Sequence, residues 1–212
     1  MSRIVVIGGH GRVALRLERL LVDRGDEVDA IIRNPAHTPD IEATGAHAVV
    51  ADIEQLDVDE LSELLRGHDA IVWSAGAGGG DPQRTMSVDR DAAIRSMEAA
   101  DLVGVRRYVM VSYFESPDHV VPESNPFHAD AEAKAAADEH LAATGLDWTI
   151  LGPSHLTDGD GTGRIDVEAS TSSSVDRADV AAVVAAALES PGTIGRTIRF
   201  NAGETPIADA LG

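Results

Sequence analysis

The 212-residue chain has no cysteine, a single lysine and only seven aromatic residues of the Phe, Tyr and Trp types. Without cysteine there are no disulfides, no thiolate nucleophile and no thiolate metal ligands. No stretch approaches the roughly eighteen consecutive apolar residues of a membrane-spanning helix. The N-terminus runs into structured sequence without a basic leader and cleavage site. Neither membrane insertion nor secretion is therefore expected, and the expected location is the cytoplasm. Positive charge is also scarce: 17 basic residues against 36 acidic ones give a formal charge of −19. A surface of that sign repels nucleic-acid backbones, so no nucleic-acid partner is expected. An acid-rich, lysine-poor composition suits a high-salt interior, although a GC-rich genome that encodes arginine in place of lysine produces part of the same pattern. Internal repeats are absent, and no His, Asp and Glu cluster has metal-site spacing, so no metal is expected.

What the chain does have is enough apolar sequence, 43%, for one full core over residues 1–212. Its organising stretch is Arg3-Ile4-Val5-Val6-Ile7-Gly8-Gly9-His10-Gly11-Arg12-Val13-Ala14. An unbroken apolar run, then clustered glycines, then helix-compatible sequence predicts a buried parallel strand, a tight turn and a helix start. Glycines at 9 and 11 permit dihedrals closed to other residues and a close approach to phosphate. The unpaired amides of the helix start then face the anion. Two registers fit, Gly9-x-Gly11-x-x-Ala14 and Gly8-x-x-Gly11-x-x-Ala14. An ordinary glycine-rich turn is the plainer alternative.

A helix from Val13 to Arg24, closed by Gly25, leads to a second strand, Val28 to Ile32, and then Arg33-Asn34-Pro35. In a dinucleotide-binding fold this strand end meets the adenosine ribose: a carboxylate there receives the 2'-hydroxyl of NAD, an arginine the 2'-phosphate of NADP. Asp29 lies too early in the strand for that role. Arg33 therefore favours NADP over NAD, with Arg12 as an assistant at the mouth of the turn. Strands are expected at Ala48–Ala51, Asp69–Ser74, Arg107–Ser112, Leu146–Leu151 and Thr197–Phe200. Helices are expected at Val58–Leu65, Asp89–Val103, Phe127–Ala143 and Val180–Leu188, the last capped by Asp176 or Ser174 with Asp179 in its first turn. This alternation predicts a Rossmann-like α/β fold, a doubly wound, mostly parallel sheet with helices on both faces. Asp52 and Ile53 at one strand end, and Ser74, Ala75 and Gly76 at another, are candidate cofactor contacts. The glycine run through Gly80 is a candidate lid. Asp158–Ser174 reads as a long surface loop. Residues 153–174 and 201–212 form candidate substrate-side or docking segments, and Trp73 and Trp148 read as packing residues.

Gly8 to Ala14, Arg33-Asn34-Pro35, Asp52, Ser74-Ala75-Gly76-Ala77, Val111-Ser112, Ala133-Lys134-Ala135-Ala136-Ala137-Asp138, Gly145 to Leu151, Arg177-Ala178-Asp179-Val180-Ala181 and Gly203-Glu204-Thr205-Pro206-Ile207 span nearly the whole chain. In these the protein resembles the short-chain dehydrogenase/reductase superfamily, and within it the small atypical NAD(P)H-binding, NmrA-like group. The resemblance implies a nicotinamide dinucleotide, often NADP, and an active site of serine, tyrosine and lysine, the tyrosine four residues before the lysine. Ser112 and Lys134 stand at the first and last of these positions, and Asp130 stands where the tyrosine belongs. Ionised beside Lys134, an aspartate is a poor proton donor. Tyr113 and His128 are candidate replacements without the family spacing, and Gly152 stands where the group commonly has an arginine before Pro153. Two functions follow: an NADP-dependent oxidoreductase reducing a small carbonyl, quinone or flavin-like acceptor, or a non-catalytic NADP-binding redox sensor. An epimerase is a weaker third. The expected partners are the dinucleotide and a small-molecule substrate, with the protein a monomer or homodimer.

Overall fold

The run Ile4–Ile7 becomes the first strand, β1 (Arg3–Ile7), because both its faces find a hydrophobic partner. Ile4 and Val6 point into one core layer, Val5 and Ile7 into the other, so the run has no polar alternation to show. The computed structural model describes residues 1–78, 81–118 and 121–212. Gly79 and Gly80 of the expected lid lie outside the described residues.

In chain order, β1 is followed by α1 (Ala14–Arg24), β2 (Glu27–Ile32), α2 (Thr38–Glu42), β3 (His47–Val50), α3 (Val58–Leu65) and β4 (Ala70–Trp73). Next come α4 (Pro82–Thr85), a π-helical segment at Met86–Ala92, α5 (Ala93–Val103), β5 (Arg107–Val111), α6 (His128–Ala143) and β6 (Asp147–Pro153). The remainder is β7 (His155–Thr157), β8 (Arg164–Asp166), β9 (Ser174–Asp176), α7 (Arg177–Glu189), β10 (Arg196–Ala202), β11 (Thr205–Pro206) and α8 (Ile207–Leu211).

Among the described residues, nine strands make one sheet in the order β3-β2-β1-β4-β5-β6-β10-β8-β11. The seven from β3 to β10 are parallel, and β8 and β11 add an antiparallel margin. Ile7 is level with both Ile31 and Trp73. The strand order reverses at β1, and the crevice outside the carboxyl ends of β1 and β4 is where such sheets receive ligands. Local signals are consistent with this plan. Gly25 and Gly104 close α1 and α5 in left-handed conformations, and Asp57 with Glu60 forms a reciprocal cap on α3.

Several expectations need correction. The single helix expected over Asp89–Val103 is preceded by α4 and begins inside the π-helical segment, which turns Asp89 inward. The expected loop 158–174 contains β8 and the first residue of β9, each too short for a clear period-2 pattern. Asp176 holds the N-cap position of α7 but makes no side-chain cap bond, because its carboxylate receives the Thr157 hydroxyl and the Gly159 amide; Ser174 lies in β9. Asp179 does sit in the first turn of α7, but its carboxylate binds the amides of Thr162 and Gly163 and so ties the 158–163 segment to the helix. The expected tail is α8, packed on α7. Trp73 is fully buried in β4, as a packing role requires.

Candidate functional site

The glycine turn works differently from its sequence reading. Gly8, not Gly9 or Gly11, holds the left-handed backbone, with φ +90°. A Cβ there would also meet Ala75 Cα at 2.5 Å. Gly9 is needed for closeness, since its Cβ would stand 2.7 Å from that of Ala30 in β2. The start of α1 has no side-chain cap. Beneath the turn lies Glu18, wholly buried on α1, with Oε2 receiving the Thr44 hydroxyl at 3.1 Å and Oε1 without a partner among the described residues. Burial raises its carboxyl from the ordinary 4.5 to about 8, against the opposing Thr44 hydrogen bond.

Gly8, His10, Gly11, Arg33, Asp52, Ile53, Ser74, Ala75 and Gly76 line one cavity of about 300 Å³, floored by Ile31, Ile32 and Ala51. Gly9 stands behind it against β2, and Val13 is buried in the core. Arg33 and Arg84 share one carboxylate, Glu54, each at 2.9 Å. Asp29 receives Arg3, His47 and His68, well away from a ribose role. His10 stacks on His37 with centroids 3.5 Å apart and reaches Asp40 at 2.8 Å. Asp52 closes its own turn by accepting the Glu54 amide. Arg12 does not line this cavity; it meets Asp158 at 2.6 Å, and Arg177 takes the other oxygen at 2.8 Å.

A second cavity of about 420 Å³ lies beyond β5 and β6, lined by Ser112, Lys134, Tyr113, Phe114, Phe127, Pro153 and Leu156 among others. Lys134 does not pair with Asp130, its neighbour one turn earlier on α6. The ammonium crosses to buried Asp89 at 2.8 Å, whose other oxygen holds the Ala77 amide at 2.8 Å. Asp89 thus couples the Ser74–Gly78 loop of the first cavity to the lysine of the second. Asp130 lies outside the lining, its carboxyl pushed up by burial and by Asp89, against Lys134. Tyr113 packs edge-on to Phe127, and its phenol is pushed well above the ordinary tyrosine value by burial and by Asp138, Glu115 and Glu132. The His128 ring is engaged by the Val121 carbonyl. Gly152 has no room for a side chain, because Tyr113 O lies 2.9 Å from its would-be Cβ.

Ser112 donates to Asp138 Oδ2, and so does Ser116; the other oxygen of Asp138 has no partner among the described residues. Burial raises Asp138 from 3.8 to about 6, outweighing the two serines and Lys134. Residues 8–191 match the NAD(P)H-binding family. The chain belongs to that family. The Bacillus subtilis protein called uncharacterized sugar epimerase YhfK is 34% identical over 214 residues, 99% of this chain and 98% of its own. The Saccharomyces cerevisiae UPF0659 protein YMR090W is 30% identical over 223 residues, 97% and 95% of the two chains. The solved structure of the oxidoreductase ylbE from Lactococcus lactis superposes with a TM-score of 0.88 at 28% identity, covering 99% of this chain and 94% of that one. The fold is that of the extended short-chain dehydrogenase/reductase, NAD(P)-binding superfamily, related to epimerases and oxidoreductases.

The residues of this NAD(P)H-binding protein fit a dinucleotide. The left-handed Gly8 and the uncapped start of α1 provide an anion cradle, and the first cavity pairs an apolar floor with Arg33 at its rim. Asp89, Asp138, Ser116, Glu54 and Arg84 were missed from the sequence. Asp138 had a usable signal, since four residues after Lys134 on a helix places both on one face. Asp89, buried by a π-helical segment, had none.

Proposed function

We propose that the protein is an NADP-dependent oxidoreductase of the small atypical, NmrA-like kind, reducing a small carbonyl, quinone or flavin-like acceptor in the second cavity. The observation that carries this reading is the link made by Asp89, which joins the glycine-turn cavity, through Ala77, to a pocket presenting Ser112 and Lys134. When bound, a reduced nicotinamide supplies hydride. The chain's own contribution is to hold the pyrophosphate on the amides after Gly8, to direct the Ser112 hydroxyl at the substrate oxygen, and to exclude water with Phe114, Phe127 and Leu156. Preference for NADP is supported by two guanidiniums, Arg33 and Arg84, on the single carboxylate of Glu54, which leaves surplus positive charge for a 2'-phosphate. The ammonium of Lys134 has three donors, so its bond to Asp89 leaves capacity for a ribose hydroxyl.

A second reading, a non-catalytic NADP-binding sensor, is favoured by the aspartate at position 130 and by the commitment of Lys134 to Asp89. An epimerase reading rests on the name of the Bacillus subtilis relative, and the mostly apolar wall of the second cavity argues against a sugar.

Calorimetric titration with NADPH and NADH, followed by stopped-flow oxidation of the NADPH complex with quinones, flavins and aldehydes, tests these readings. Arg33→Ala is expected to weaken NADPH binding about 10- to 100-fold, the worth of a charge-assisted contact, with little change for NADH. Equal losses overturn the 2'-phosphate assignment. Tight binding without oxidation by any acceptor favours the sensor, and no binding overturns both readings.

A further inference from the structure

The pocket has a serine at the reacting position, with Tyr113, Glu115, Lys134 and His155 as the other titratable groups of its lining. Burial and the surrounding carboxylates push the Tyr113 phenol up, which makes it a weaker acid, and Asp130 lies outside the lining. What Ser112 does touch is a carboxyl group. Ser112 is nearly buried but lines the second cavity, so its hydroxyl has Asp138 on one side and substrate space on the other. Asp138, 1% exposed on α6, receives both serines on Oδ2 and leaves Oδ1 buried without a partner among the described residues. A carboxylate that merely stapled the loop after β5 to α6 would have little reason to bury an unpaired oxygen, because an ionised group in that position is costly. A neutral carboxylic acid incurs much less of that cost, and its O–H can donate to a serine oxygen, freeing the serine hydrogen to turn into the cavity.

We infer that Asp138 is the proton reservoir of this pocket, passing a proton through the Ser112 hydroxyl to the substrate oxygen. This rests on the oxidoreductase reading above. As hydride from the reduced nicotinamide adds to the carbonyl carbon, the C=O π pair moves onto oxygen. That oxygen takes the Ser112 proton, Ser112 takes the Asp138 proton, and the carboxylate left behind is reprotonated from solvent. The carbonyl is reduced by two electrons and the nicotinamide oxidised by two. Asp138 acts only through Ser112. The groups facing it are Lys134 from its own helix, Tyr108 from β5 and Tyr113 and Ser116 from the loop beyond, while Arg199 of β10 holds the Ser116 carbonyl at 3.2 Å. Lys134 is the one cation among those named as acting on the carboxyl itself, and it works against the neutral form that burial favours.

The test has two arms. In the cofactor-free protein, the carbon-13 carboxyl resonance of Asp138, assigned by its loss in Asp138→Asn, is expected to titrate near 6 and to move upward in Ser112→Ala, which removes a donor to the carboxylate. Titration together with the exposed aspartates, or no response to Ser112→Ala, overturns the relay whether or not a substrate is known. In single-turnover reduction with NADPH, the wild-type rate is expected to fall as pH rises through that same titration. Asp138→Asn is expected to lose about 100-fold and to lose the pH dependence, whereas Ser116→Ala keeps the dependence with its midpoint raised. If Asp138→Asn retains the wild-type rate and profile, the relay fails and the oxidoreductase reading stands. If the wild type oxidises NADPH with no acceptor, the oxidoreductase reading fails and takes the relay with it.

Discussion

Glu18 is predicted to make the protein lose stability as pH rises. In the unfolded chain its carboxyl titrates near the ordinary 4.5, and in the folded chain burial raises it to about 8. Between these values the folded state binds a proton that the unfolded state has released, so folding takes up protons and stability declines with pH. Below 4.5 both states are protonated and the folded state has its full advantage; above 8 the loss is complete. The shift covers 2.5 pH units between 4.5 and 7, and about 1.4 kcal/mol per unit gives a destabilisation of about 3–4 kcal/mol at pH 7. No discount for solvent screening applies, because the side chain is wholly buried. Glu18→Gln keeps the shape and the oxygen facing Thr44 but cannot ionise. Urea unfolding of both proteins from pH 5 to 8 is the assay. The free-energy curves should diverge by about 1.4 kcal/mol per pH unit, with the variant ahead at neutral pH. Parallel curves across that range would refute the reasoning, and would mean that Glu18 ionises in the folded state by admitting water to Oε1.

Lys134→Met should destabilise by about 3 kcal/mol, since it leaves the buried Asp89 carboxylate without its cation. The double variant with Asp89→Asn should regain much of that loss, and denaturation showing single and double variants equally weak would remove the ion pair from the explanation. Gly8→Ala should cost about 1–3 kcal/mol from left-handed strain alone, with more from the contact with Ala75, and should abolish dinucleotide binding in calorimetry. Normal NADPH affinity in a folded Gly8→Ala protein would contradict the role given to the turn.

The parallel sheet was readable because each central strand is a short apolar run buried on two faces, and because Gly25 and Gly104 mark helix ends locally. The glycine turn was readable as a motif but not in its division of labour: the space at Gly8 and Gly9 is closed by Ala75, from the loop after β4, and by Ala30 of β2. The partner of Lys134 was hidden for the same reason. Asp130 is near it in sequence, whereas Asp89 reaches it only through a π-helical segment that propensities do not encode. The strands between residues 155 and 176 were hidden by their three-residue lengths. The close approach of Tyr113 O to Gly152 gives a physical reason for the absence of a side chain there.

The antiparallel margin of the sheet has a consequence for self-association. Strands at the rim of a sheet offer unpaired amides to any passing chain, and long ones seed cross-chain pairing. Here β11 is two residues long, its second residue is Pro206, which has no amide hydrogen to offer, and the chain turns at once into α8. The sheet therefore ends in a proline stop that gives an incoming strand almost nothing to pair with, and the rim beside β8 is closed to growth by backbone chemistry rather than by bulk.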